Sequence, residues 1–155
     1  MYQWLVFVHL VGVLGFLLSH GVSVGVLFSL RSERDPARIR ALLQLSSQSI
    51  TAFYWSFLVL LGGALAAATY GHWWSAAWPW ISLGVLFGIT VLMYVLAKPY
   101  YERIRRIMAI EAGGGTAVGE AEIARAAGGP VPAVIAATGV AGLVGIIYLM
   151  VLKPF

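Results

Sequence analysis

Two histidines, His9 and His20, lie eleven residues apart in an apolar run from Trp4 to Leu30 that contains no Asp, Glu, Lys or Arg. A histidine within a bilayer is costly and is by default a functional-site hypothesis. Wound at about 100° per residue, eleven residues return a helix to nearly the same face, so both imidazoles share one stripe, about 16 Å apart along the axis. Imidazole ligates haem iron, copper and zinc, and it exchanges protons near neutral pH. His9 and His20 are therefore the candidate cofactor and metal ligands, with haem b or copper as the cofactors their chemistry suits. They are equally placed to carry protons at two membrane depths. The bland alternative is that each ring hydrogen-bonds a neighbouring helix and supplies packing specificity. Gly12, Phe16, Ser19 and Ser23 share the same third of the helix surface, where small residues let a second helix or a flat cofactor come close.

The other apolar runs contain no histidine. One chain cannot supply two imidazoles to one haem iron, so Met93, a tyrosine, water, a second copy or a partner subunit must complete any six-coordinate site. Lys98, in the stretch Lys98-Pro99-Tyr100-Tyr101-Glu102-Arg103, is a candidate cation for the carboxylates of a porphyrin-like ligand, with Arg31 as its companion. Its alternative role is that of a lysine snorkelling to the headgroups. His72, beside Trp73 and Trp74, is a weaker candidate for metal capture. There is no cysteine, which excludes disulfides, thiolate metal sites and thioether-linked haem. No Ser/His/Asp set, phosphate-binding loop or HExxH is present, so hydrolysis and ATP use are not indicated and an enzymatic role stays open.

The elements that must position these residues follow from composition. With 61% hydrophobic and 10% charged residues and a mean hydropathy of +0.89, the chain lies far from a soluble domain, where about a quarter of residues are charged. Four runs, about 4–30, 50–70, 80–97 and 132–152, are long enough to cross a core that needs roughly 20 residues. The expected architecture is all-α, one integral membrane four-helix bundle occupying residues 1–155. The first run lacks a basic start and is too long for a cleaved signal, so a retained anchor is expected.

Nine of the ten basic residues fall in the two alternate connections, between runs one and two and between runs three and four; only Lys153 lies elsewhere. The positive-inside rule places those connections in the cytoplasm, with both termini outward, in a bacterial inner membrane. The net charge of +4 then serves anionic headgroups and not nucleic acid. The opposite connection, Gly71 to Pro79, is uncharged and rich in Trp, as an interfacial aromatic belt requires.

Asp35-Pro36 reads as an N-cap with proline in the first turn. A helix from Pro36 is expected to run through a cytoplasmic amphipathic extension into the second span, as far as Tyr70. The third span is expected to kink near Pro99, continue as a charged helix to Glu111, and end at Gly113-Gly114-Gly115. Thr116 to Gly129 reads as an Ala-rich, mildly amphipathic piece, with Pro130 and Pro132 opening the last span. The spacings Gly21-x-x-x-Gly25 and Gly84-x-x-x-Gly88, with Gly139, Gly142 and Gly145, suit close helix packing.

The opening Met1-Tyr2-Gln3-Trp4-Leu5-Val6-Phe7-Val8-His9-Leu10-Val11-Gly12, the loop beginning Arg31-Ser32-Glu33-Arg34-Asp35-Pro36, and the four-span layout resemble an uncharacterised bacterial family of small integral membrane proteins. More distantly, the early histidine followed by glycine is similar to the CopD-like copper-resistance proteins and the HemJ-like membrane protoporphyrinogen oxidases. That resemblance implies metal or porphyrin handling in a helical bundle, with His9 the residue carried over and His20 and Lys98 matching in type and depth alone. The remaining spans depart from it, since they lack further histidines. The expectation is a haem- or metal-binding membrane protein acting as a homodimer or in a larger complex. Its rival is a structural or transport-accessory subunit.

Overall fold

The computed structural model describes residues 1–112, 125 and 128–153. Its helices are α1 (Tyr2–Ser32), α2 (Pro36–Tyr70), α3 (Ala77–Ala112) and α4 (Val131–Leu152), with a single 3-10 turn at Trp73–Ser75 between α2 and α3. All four are long and apolar enough to cross a membrane, and in each the most apolar window is less than a fifth buried inside the protein. Leu14, Leu18, Leu58, Val91 and Val140 point outward, as lipid-facing residues must. The chain is an all-α, multi-pass membrane protein built as a four-helix bundle.

The first turn forms as the sequence requires. The Asp35 carboxylate accepts from the Ala37 N–H at 3.0 Å, and Pro36 occupies the first turn, where a missing N–H costs nothing. The half-buried Glu33 carboxylate accepts from the Arg34 and Asp35 N–H groups at 2.9 and 3.0 Å. Those bonds, the one from Asp35 first, hold its pKa below the ordinary glutamate value. The single long helix Pro36–Tyr70 is present. The α3 helix runs through Pro99 without interruption; the ring removes one backbone donor but does not end the helix. The glycine run at 113–115 and most of the Ala-rich stretch lie outside the described residues.

Packing is unequal around the bundle. The α1 and α2 helices touch along most of their length, because Gly12 of α1 lies on the Leu60 backbone and Gly63 of α2 lies on the His9 backbone. Phe16 fills the next layer against Phe53, with ring centroids 4.6 Å apart. The α3 and α4 helices form a second pair, in which Ile89 packs onto Gly142. The two pairs join at the end carrying the basic connections, where Leu27, Leu30, Ile39, Ile104 and Ile135 form a buried core. Polar ties reinforce this inner end. Tyr101 donates to the Ser23 carbonyl at 3.1 Å, Ser23 and Ser49 share a hydroxyl bond of 2.9 Å, and Arg105 donates to the Ser47 hydroxyl at 2.7 Å.

The glycine spacings divide differently from the expectation. Gly12, Gly63, Gly139 and Gly142 sit in helix contacts, but a Cβ on Gly21, Gly25, Gly84, Gly88 or Gly145 would meet nothing within 4 Å. Those motifs therefore face outward and do no packing within the chain. Replacing Gly12 or Gly63 by Ala forces α1 and α2 apart and should cost about 1–3 kcal/mol of stability. Gly21→Ala should cost nothing and could gain up to about 1 kcal/mol from helix propensity. Unfolding of the protein in mild detergent measures both; equal behaviour of the three variants would contradict the packing described.

Candidate functional site

At the end opposite the basic connections, the outer end by the charge expectation, the two helix pairs separate around a cavity of about 530 Å³. That volume is within the usual range of small-molecule sites. The α1 wall is a stripe at alternating spacings of four and three: Tyr2, Val6, His9, Val13, Phe16 and His20. Such spacing keeps residues on one face of a helix. The stripe predicted from the sequence is thereby split. Gly12 turns into contact with α2, Ser19 is buried with its hydroxyl on the Gly15 carbonyl, and the two histidines turn to the cavity. Much of the remaining wall is aliphatic, with Leu60 and Ala64 of α2, Leu86 and Ile89 of α3, and Ile146 and Met150 of α4 among its members.

His9 is fixed by geometry. Its Nδ1 is 2.9 Å from the Leu60 carbonyl oxygen. A carbonyl only accepts, so Nδ1 carries the proton, and in the neutral ring Nε2 keeps its lone pair. An imidazole anchored through Nδ1–H to a backbone carbonyl is the arrangement in which metal-ligating histidines are ordinarily held. His20 lies deeper, about 16 Å along α1, too far for both rings to reach one iron. Its Nε2 and the Met93 Cε converge on Gly139, where a Cβ would stand 2.5 and 2.7 Å from them. The glycine makes room for both groups, and the structure thus brings together the two residues that could form a histidine–methionine pair.

Lys98 is not on the cavity. Its Nζ lies 4.0 Å from Glu102 and over the Tyr94 ring at 5.4 Å, on the exposed inner side of α3. The cation that does line the cavity is Lys153, which sits over the indoles of Trp73 and Trp78 at 4.4 and 5.5 Å, within cation–π range. These rings close the outer end with Tyr2, whose ring centroid is 5.5 Å from that of Trp73. His72 stays outside, an exposed residue with left-handed backbone at φ 55° ahead of the 3-10 turn.

Ser82 also lines the cavity, and sequence reasoning missed it. Helical hydroxyls at Ser19, Ser47, Thr69 and Thr90 bond the carbonyl four residues back, whereas those of Ser82 and, away from the cavity, Ser46 do not. Ser82 is 3% exposed, and its Oγ has no partner among the described residues. The signals were present in the sequence: Lys153 is the sole basic residue at the outer end, and Ser82 follows Trp78 by one helical turn. Among the described residues no three His, Asp or Glu side chains stand together as a metal cluster.

Comparison of the chain with protein-family models, with curated proteins and with solved structures finds no match. Side-chain geometry therefore carries the reading of the site. Histidine-selective 15N spectra of the protein in lipid should show one ring with Nδ1 protonated and Nε2 bare, lost in His9→Asn. An Nε2–H tautomer at His9 would overturn the assignment.

Proposed function

We propose that this membrane protein binds haem b in the cavity between its helix pairs, with His9 Nε2 as the axial ligand, and serves membrane redox or porphyrin handling. The observation that carries the reading is the Nδ1 bond to Leu60, which orients an imidazole on the cavity wall and leaves its other nitrogen bare. A bare copper or zinc ion needs several protein donors, and the described residues do not group them. A porphyrin brings four nitrogens of its own and asks the protein for one or two axial ligands. An aliphatic wall suits its flat faces.

His20 and Met93 mark a second position, deeper in the same cavity, where an imidazole and a thioether converge. In this reading His20 is the polar group at the far end of the ligand, able to exchange a proton with it. The bacterial inner membrane, with both termini outward, is the location the charge pattern favours. The outward glycine faces of α1 and α3 are where a second copy or a partner helix would seat, as a homodimer or larger complex requires.

One observation favours the rival, structural role. His9 also packs against α2 at Gly63, so its ring could serve only to lock that contact. The absorption spectrum of protein titrated with haem separates the two. Haem binding should give a sharpened Soret band and reduced α-band, abolished in His9→Ala and retained in His20→Ala. Loss in His20→Ala and Met93→Leu, with His9→Ala unaffected, would move the ligand to the deeper position. A spectrum of free haem throughout, with His9→Ala measurably less stable, would leave the structural role.

A further inference from the structure

We propose that the outer end of the cavity is a carboxylate-anchoring subsite, in which Lys153 Nζ and Ser82 Oγ hold the acid group of an apolar ligand whose body lies against His9. This inference rests on the ligand-binding reading above and names the class of molecule: a hydrophobic acid, of which haem with its propionates is one member.

The groups are ordered along the bundle. Lys153 Nζ lies over Trp73 and Trp78 at the mouth. Ser82 is one turn below Trp78 on the same face of α3, about 6 Å further in. Tyr2 is level with Trp73 through their ring contact, and His9 follows Tyr2 by seven residues, about 10 Å along α1. An acid group between Lys153 and Ser82 therefore places the body of its ligand past His9, toward Phe16.

Each group brings unused bonding capacity to the cavity wall. A snorkelling lysine extends its ammonium into water. Lys153 is exposed at the left-handed end of α4 (φ 44°), a common way for a helix to stop, and its ammonium lies over two cavity-lining indoles. Lys153 has no ion pair among the described residues, whereas Lys98 is paired. A hydroxyl in hydrocarbon ordinarily bonds the carbonyl four residues back, and Ser82 does not, leaving a buried donor without an acceptor on the cavity wall. A carboxylate entering an apolar cavity needs a cation and a hydrogen-bond donor to offset its lost hydration. These two side chains supply one of each.

Titration of the purified full-length protein with two acid and ester pairs tests the subsite: haem b against its dimethyl ester by absorption, and cis-parinaric acid against its methyl ester by fluorescence. Wild type should bind each acid about tenfold more tightly than its ester, with the preference lost in Lys153→Met and reduced several-fold in Ser82→Ala. Binding of the esters should be unchanged in both variants, which shows that the cavity remains folded. Acid preference for parinaric acid without haem binding would remove the haem reading and keep the subsite. Equal binding of acid and ester by wild type, a preference that survives in Lys153→Met, or no binding of any of the four ligands overturns the inference.

Discussion

The hydrocarbon core contains no water, so each polar group there must find its partner within the protein or in something the protein binds. Most of the polar side chains of this bundle meet that demand locally. Ser19 and Thr90 return to carbonyls of their own helices, Ser23 and Ser49 bond each other, and Tyr101 closes on a carbonyl of α1. His9 is satisfied at Nδ1 by Leu60 and has a second nitrogen to spare. Ser82 and Lys153 are satisfied neither by a local carbonyl nor by a carboxylate among the described residues. Ser46, the other buried hydroxyl without a hydrogen-bond partner among the described residues, lies elsewhere, but His9, Ser82 and Lys153 all line one cavity. Their clustering there, and not their number, is what makes the cavity a site.

The cavity itself follows from how side-chain volume is distributed along the bundle. At the inner end, large aliphatic residues from all four helices meet, and Ile39 and Ile104 are almost wholly buried. At the outer end, close approach is spent within each pair: Gly12 and Gly63 draw α1 onto α2, and Gly142 admits Ile89 between α3 and α4. Two pairs each pulled tight on themselves leave a gap between them. Tryptophans bridge that gap at the interface, where an indole can keep its N–H bonded, as Trp74 does to Thr69 and Trp80 to the Trp74 carbonyl. The result is a bundle closed at one end and hollow at the other, with the histidine stripe along the hollow half.

Within that frame, different parts of the chain carry different amounts of information. Span positions, the Asp35-Pro36 helix start and the continuity of α2 are local properties of hydropathy and capping, and they were legible in the residues themselves. The stripe shared by His9 and His20 was legible for the same reason, since it needs only the helical repeat. The role of glycine was not. Gly21-x-x-x-Gly25 and Gly84-x-x-x-Gly88 have the spacing of contact motifs and lie open, Gly139 and Gly142 do meet a neighbour, and Gly12 and Gly63, with no such motif, bring two backbones together. Spacing states that a helix has a smooth face; it does not state which neighbour fills it.

The sequence by itself determined an all-α membrane bundle of four spans, the charge asymmetry of its two ends, and one helix face bearing two imidazoles. Each of these is set by residues within a few turns of one another. Only the tertiary structure decided that His9 takes one tautomer, that Met93 joins His20 at Gly139, and that Lys153 and not Lys98 stands at the cavity. Each of these depends on a partner from another helix: Leu60 lies fifty-one residues from His9, and Lys153 reaches the site across the end of the bundle to Trp73 and Trp78. A helical repeat places a side chain on a face, but the carbonyl, ring or cavity it meets there belongs to whichever helix packs alongside.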